Sequence, residues 1–342
     1  MSQHFLENIK IENFKCFENL EINDFKRVNV FGGKNNVGKT ALLEAIELLV
    51  KSVHTLSLVC FSYWLLTKRQ NSPKKVELDF FRDSFTWFSI ESAFRKIKIE
   101  RCRQEENILL PMKLCFDISL DSLKGMVISL PVDVEDYVYQ RFHFNCDEMK
   151  RHPVASAFIK SSRLDNKDIS EFYGSVIESD KESFLNDSLN KFDQSLISLK
   201  IIPYEDGNIP KIKVFNRDKL VPLSEMGDGI SRYVTILCAI WASQNGFLFV
   251  DEIENGIHYS NYKKLWELIF MASEQANCQV FVTSHSKECI EAFNNVQQER
   301  NDDAGRYFEL YRSEKKQRIV AAVRDAEQLH YSLTHGAAIR GE

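Results

Sequence analysis

Nothing in this 342-residue chain is long and apolar enough to read as a membrane span. The uncharged stretch "SVHTLSLVCFSYWLLT", Ser52 to Thr67, is too short and too polar for a bilayer, which takes about 20 apolar residues. It reads as a buried or interface helix. C-x-x-C pairs are missing as well. Cys16, Cys60, Cys102, Cys115, Cys146, Cys238, Cys278 and Cys289 are scattered, which argues against a structural zinc site. No signal-peptide pattern opens the chain, so reduced thiols and a cytoplasmic location are expected. An excess of positive charge is absent too: 44 Lys and Arg face 49 Asp and Glu, a net charge of −5. Nucleic acid is therefore not signalled globally, and only a local patch stays open. The most basic short run, "RKIKIERCR" from Arg95 to Arg103, alternates like an edge strand, where lysines oppose aggregation. Repeats, low-complexity linkers and sustained heptads are also lacking, which excludes coiled-coil arms. What remains is a chain with 44% apolar residues, enough for a large core in one elaborate domain or two lobes.

The most informative stretch is "VNVFGGKNNVGKTALLEAIELLV", Val28 to Val50. Within it, Gly33, Lys34, Asn35, Asn36, Val37, Gly38, Lys39 and Thr40 fit G-x-x-x-x-G-K-(S/T). That pattern arises by chance in roughly one chain in a hundred of this length, so context decides. Val28 and Val30 flank Asn29 and Phe31 runs into the glycines, which predicts a short buried strand. Leu42, Ala45, Ile46 and Leu49 follow helical spacing. A strand, a glycine loop and a helix start together make a phosphate cradle of backbone N–H groups at a helix N-terminus. In it Lys39 would reach the β- and γ-phosphates and the Thr40 hydroxyl would bind Mg²⁺.

A second pattern completes the first. Phe247-Leu248-Phe249-Val250 is a buried-strand run that ends in Asp251-Glu252, and parallel strands offer chemistry at their carboxyl ends. Asp251 would hold the Mg²⁺ shell and Glu252 would polarise the attacking water. Cys278 to Val282 predicts another strand, ending in Thr283-Ser284-His285-Ser286. The helix expected over Tyr259 to Ala276 makes this a strand–helix–strand unit with a parallel sheet. His285 then lands beside Asp251 and Glu252, where a γ-phosphate sensor is needed. His258 reads equally as support for this site or as a helix-start residue. Elsewhere, strands are expected over 5–14, 17–22, 76–130 and 196–222, the last a hairpin around Asp206-Gly207. Residues 133–195 look more helical and polar.

"GGKNNVGKTALLEAI", "MGDGISR", "FLFVDEIENGIHYS" and "FVTSHS", in this order, resemble the ABC-type ATPase heads of the SMC/RecF and OLD-like group. "NFKCF", Asn13 to Phe17, is similar to the opening strand pair of those heads. The resemblance implies an α/β P-loop NTPase fold with a mixed sheet. The core would be residues 1–50 and 195–342, with a β/helical lobe inserted at 51–194. It implies ATP and Mg²⁺ as cofactors and a homodimer, or a larger oligomer built on such dimers, that sandwiches nucleotide between protomers. The loop facing the partner's nucleotide would be Met226 to Arg232, with Gly227, Asp228, Gly229 and Arg232 as contacts. A glutamine of the Q-loop type is open among Gln70, Gln104 and Gln140. No N-K-x-D motif for guanine is present, which favours ATP. The residues after His285 read as a helix, a hairpin and a helix, so a Toprim nuclease domain is not expected. The implied role is an ATPase that gates a separate effector, a nuclease or toxin, in bacterial anti-phage defence. Alternatives are a RecF-like DNA-repair ATPase and an ATP-gated scaffold with little hydrolysis.

Overall fold

The structure is a computed structural model that describes residues 5–51, 87–92, 95–101, 113–120, 123–131, 155–161, 166–205 and 207–335. The helix expected at Ser52 to Thr67, and Gln70, Gln104 and Gln140, lie outside these residues. In chain order the described elements are β1 (Asn8–Phe14), β2 (Phe17–Asn23), β3 (Val28–Gly33), α1 (Lys39–Lys51), β4 (Trp87–Ser92), β5 (Arg95–Arg101), β6 (Lys113–Leu120), β7 (Leu123–Pro131), β8 (Ser156–Ile159), α2 (Asn166–Glu178), α3 (Glu182–Phe192), β9 (Leu196–Tyr204), β10 (Gly207–Val214) and β11 (Val221–Pro222). There follow α4 (Asp228–Ala242), β12 (Phe247–Val250), α5 (Tyr262–Gln275), β13 (Gln279–Thr283), α6 (Lys287–Arg300), β14 (Gly305–Ser313), β15 (Arg318–Arg324) and α7 (Ala326–Thr334).

The central sheet runs β15-β14-β3-β13-β12-β8. Its strands pair in parallel except for β15, which returns antiparallel on β14. Every residue of β3, β12 and β13 is buried, as strands covered on both faces require. Side-chain alternation sorts two cores. Val28, Val30, Leu248, Val250, Val280 and Val282 face one apolar cluster, formed with α2 to α6. Phe31, Phe247, Phe249 and Phe281 face the other, with α1 and the β1–β2 pair. On that face the rings of Phe31, Phe281 and Phe249 stack across neighbouring strands, at 6.3 and 5.7 Å between centroids. The result is an α/β P-loop fold with a mixed sheet, as the motifs predict.

The second sheet is antiparallel, in the order β2-β1-β4-β5-β6-β7. Here one expectation is corrected. The basic run at Arg95–Arg101 is not an edge strand, because β5 pairs with β4 on one side and β6 on the other. The span 51–194 also reaches into the central sheet: β8 pairs in parallel with β12, Phe249 opposite Phe158 and Val250 opposite Ile159. A third sheet, β11-β10-β9, contains the expected hairpin, with Tyr204 opposite Gly207.

Candidate functional site

The site forms where β3, β13, β12 and β8 end together. β3 runs into the glycine loop, and α1 starts at Lys39 with Leu42 N–H donating to Gly38 O at 2.8 Å. The loop backbone turns through left-handed conformations at Asn36 (φ 63°) and Gly38 (φ 83°). Gly38 also has no room for a side chain, since a Cβ there would run into the Cys16 sulfur and the Phe17 ring. The β1–β2 turn thus packs directly on the loop, and Lys15 in that turn pairs with the buried Glu44 of α1. Val37 is buried in the phenylalanine-rich core and pins the loop from beneath, while Lys34, Asn35 and Asn36 form an exposed rim.

Lys39 is 5% exposed, and its ammonium donates to Gly33 O and Lys34 O, both at 2.7 Å. Burial lowers its pKa to about 8, against the opposing pull of Glu254, Asp251 and Glu252. It is a poorly solvated cation, still mostly protonated at neutral pH, with spare attraction for an anion. Thr40 Oγ1 lies 3.1 Å from both carboxylate oxygens of Asp251. Thr283, at the end of β13, spans both acids: its hydroxyl donates to Asp251 Oδ1 at 2.7 Å and accepts from the Glu252 N–H at 2.8 Å. Burial raises the pKa of Asp251, partly offset by the two threonine hydroxyls.

Glu252 sits in a left-handed turn (φ 49°) just past β12. Its Oε2 accepts from Asn255 Nδ2 at 2.7 Å, and the same amide donates to Ser161 O beyond β8 at 3.2 Å. Its Oε1 is 3.8 Å from His285 Nε2. Burial, then the charge of Lys39, lowers the His285 pKa, so this is a contact with a neutral ring at neutral pH and not an ion pair. Glu254 fixes the turn that carries His285. One oxygen accepts from the His285 N–H at 2.6 Å and the Ser286 N–H at 3.1 Å. The other oxygen and His285 Nδ1 are buried without partners.

The Met226–Arg232 segment divides. Arg232 is 8% exposed, and its guanidinium turns inward, donating to the carbonyls of Lys160, Asp251 (2.6 Å) and Glu252 (3.1 Å). Burial lowers its pKa to about 10. Gly227 caps α4, which begins at Asp228. At Gly229 a Cβ would come within 2.5 Å of Gly256 O, so the helix start lies against the loop that follows Glu252. A bulky residue at 229 would displace that loop within its own chain before it met anything else. His258 is exposed and caps the short turn at Tyr259–Asn261, its Nδ1 accepting from the Ser260 N–H.

The geometry thus brings together Lys39, Thr40, Asp251, Glu252 and His285. It adds residues whose part the motifs left undefined: Thr283, Glu254, Asn255 and the Lys160–Ser161 backbone. The chemistry of the donor set fits Mg²⁺. That ion takes hard oxygen ligands, usually one or two carboxylates with substrate phosphates, and Thr40 and Asp251 already stand side by side. Among the described residues no group of three His, Cys, Asp or Glu side chains is placed to hold a metal ion.

Comparison with known proteins follows the same lines. The AAA ATPase domain family model matches residues 5–161 and 156–290. An ATP/GTP phosphatase of Helicobacter pylori is 28% identical over 333 aligned residues, covering 86% of this chain and 89% of that protein. The DNA replication and repair protein RecF of Listeria monocytogenes is 46% identical over 61 residues, 17% of this chain and 16% of that one. Two solved structures share the fold. The Smc head bound to the C-winged helix domain of ScpA has a TM-score of 0.51 at 13% identity, over 94% of this chain and 99% of that one. The Smc head with an extended coiled coil bound to the C-terminal domain of ScpA, from Pyrococcus furiosus, has a TM-score of 0.50 at 11% identity, over 97% and 99%.

Proposed function

Because this chain belongs to the AAA ATPase domain family, as an ABC-type ATPase of the SMC/RecF-like kind, we propose that it binds and hydrolyses ATP at the Gly33–Thr40 loop. The observation that carries this reading is the meeting of Thr40 with Asp251 at 3.1 Å, with Glu252 and His285 at the adjoining strand ends. The loop N–H groups and Lys39 hold the triphosphate, and Lys39 leaves the Gly33 and Lys34 carbonyls to do so. Thr40 and Asp251 would hold Mg²⁺, which would supply charge neutralisation for the phosphates. Glu252, steadied by Asn255 and Thr283, accepts hydrogen-bonding from the attacking water and polarises it. Neutral His285 offers a ring N–H to the terminal phosphate.

Two protomers then close on nucleotide, with the Gly227–Gly229 helix start of one presented to the other's phosphates, where N–H donors favour an anion. Arg232 serves this from behind, holding the Glu252 turn. The closed state gates a separate protein effector, and a bacterial anti-phage setting is the role we favour. The partner-bound state of the Smc heads that share this fold supports a protein partner. A RecF-like role in DNA repair is the second reading, supported by the 61-residue RecF match and weakened by the net charge of −5. An inert ATP scaffold is opposed by the intact set of Lys39, Asp251 and Glu252.

The test is Lys39→Ala. Lys39 is the cation the loop turns inward, and contacts of this kind are charge-assisted. ATP affinity by calorimetry should fall at least tenfold, about 1.4 kcal/mol or more. Unchanged affinity would remove the phosphate-loop reading.

A further inference from the structure

Thr283 and Arg232 hold Glu252 by its backbone, through its N–H and its carbonyl. Among the described residues the carboxylate itself has one hydrogen-bond donor, the side-chain amide of Asn255. Asn255 Nδ2 lies 2.7 Å from Glu252 Oε2 and 3.2 Å from Ser161 O. Both partners are acceptors, so the group between them is the NH₂ end of the amide, with one hydrogen for each. The same residue is fixed by its backbone, since the Asn255 N–H donates to Glu252 O at 3.1 Å. Asn255 is half-buried, and among the described residues none of its hydrogen bonds goes to the Gly33–Thr40 loop.

The contact involves more than one side chain. Three successive carbonyls at the end of β8 accept from this region: Ile159 O from the Asp251 N–H at 2.8 Å, Lys160 O from Arg232, and Ser161 O from Asn255. The chain leaving β8 is therefore laced along the Asp251–Asn255 turn. Arg232 fastens it to the backbone of that turn, and Asn255 fastens it to the carboxylate. This has a chemical consequence. Holding a glutamate in one rotamer costs up to about 2 kcal/mol of side-chain entropy. The Glu252 side chain is 36% exposed, so its surroundings leave it room to move. A charge-assisted bond from a fixed amide restrains it. That bond occupies Oε2 and leaves Oε1, the oxygen 3.8 Å from His285 Nε2, for a water.

We infer that Asn255 is a positioning residue for hydrolysis, holding the Glu252 carboxylate against the end of β8 with both hydrogens of its amide. The inference rests on the proposed role of Glu252 as the group that polarises water. It gives β8, a strand from the span between α1 and α2 that carries no nucleotide motif, a part in aiming that carboxylate.

The experiment measures kcat, KM and ATP affinity on the full chain for Asn255→Ala and Asn255→Asp, each alone and combined with Glu252→Gln, with thermal melts to confirm folded protein. Asn255→Ala should lower kcat about tenfold or more and leave ATP affinity within about twofold, because misplacing a reacting group by about 1 Å can cost about 10²-fold. Asn255→Asp keeps the shape and removes both donors, so it should lose at least as much kcat. In the Glu252→Gln background neither substitution should change the residual rate by more than about twofold, since the basic group they act through is gone. Wild-type kcat in a folded Asn255→Ala or Asn255→Asp protein overturns the inference. So does an undiminished further loss on top of Glu252→Gln, or a fall in ATP affinity that accounts for the lost rate. Those outcomes, beside a slow Glu252→Gln protein, leave the hydrolytic reading standing. Normal turnover in Glu252→Gln, or no ATP hydrolysis by the wild type, removes that reading and this inference with it.

Discussion

A Glu252→Gln protein is expected to bind Mg·ATP like the wild type and to lose roughly 10²–10⁴ of its turnover. The substitution keeps the shape of the side chain and the acceptor that Asn255 Nδ2 reaches at 2.7 Å. It removes the charge and basicity needed to polarise water. The Glu252 side chain is 36% exposed, so water reaches it, whereas Asp251 is 7% exposed and held between Thr40 and Thr283. The proposed function therefore gives the two neighbouring acids different tasks. Asp251→Asn should lower Mg·ATP affinity and hydrolysis together, because the proposed function makes Asp251 the carboxylate that holds the ion. Calorimetry and steady-state phosphate release on both variants decide the matter. Normal turnover in Glu252→Gln, or intact affinity with lost turnover in Asp251→Asn, would reverse or remove the assignment. The same Glu252→Gln protein, with ATP, should accumulate as a closed dimer by light scattering. If it stays at the mass of the ATP-free protein, the sandwich arrangement fails.

The parts of this site that the sequence made legible are those whose chemistry is local. The glycine loop, the FLFV-DE strand end and the FVT-SHS strand end each carry a strand, a turn and a functional group within a dozen residues, and all three arrive at the carboxyl end of one parallel sheet. What stayed hidden depends on pairing between distant segments. "SAFI" at Ser156–Ile159 is four residues without a flanking motif, and its place beside β12 comes from backbone pairing across about 90 residues. The alternation of "RKIKIER" signals a strand but not its place in the sheet, since alternation reports faces and not neighbours. Gly229 reads as a possible nucleotide contact, yet its small size is also demanded by Gly256 O, 27 residues onward. Arg232 shows the same limit. A basic residue after a glycine turn resembles a phosphate contact, and only the fold shows its guanidinium aimed at three backbone carbonyls.

Arg232→Ala is accordingly expected to cut turnover by on the order of 10² or more while leaving ATP affinity within about threefold. Arg232 reaches from the second turn of α4 to the ends of β12 and β8. Its bonds to Asp251 O and Glu252 O bracket the left-handed Glu252, a backbone conformation that a non-glycine residue holds only when its surroundings enforce it. Without the guanidinium the Lys160 and Asp251 carbonyls lose this donor, each at about 1–3 kcal/mol if nothing replaces it, while Glu252 O keeps only the Asn255 N–H at 3.1 Å. The Glu252 turn should relax and carry its carboxylate out of line, while the Gly33–Thr40 loop stays intact on the far side of β13. Arg232→Lys should recover only part of the rate, because one ammonium cannot reproduce a planar fork that spans two strand ends. The measurements are kcat and KM for both variants, ATP affinity, and a thermal melt to confirm folded protein. A folded Arg232→Ala protein with wild-type kcat would show that the guanidinium is only structural. A loss of ATP affinity larger than the loss of kcat would instead return Arg232 to the nucleotide contacts that its motif suggests.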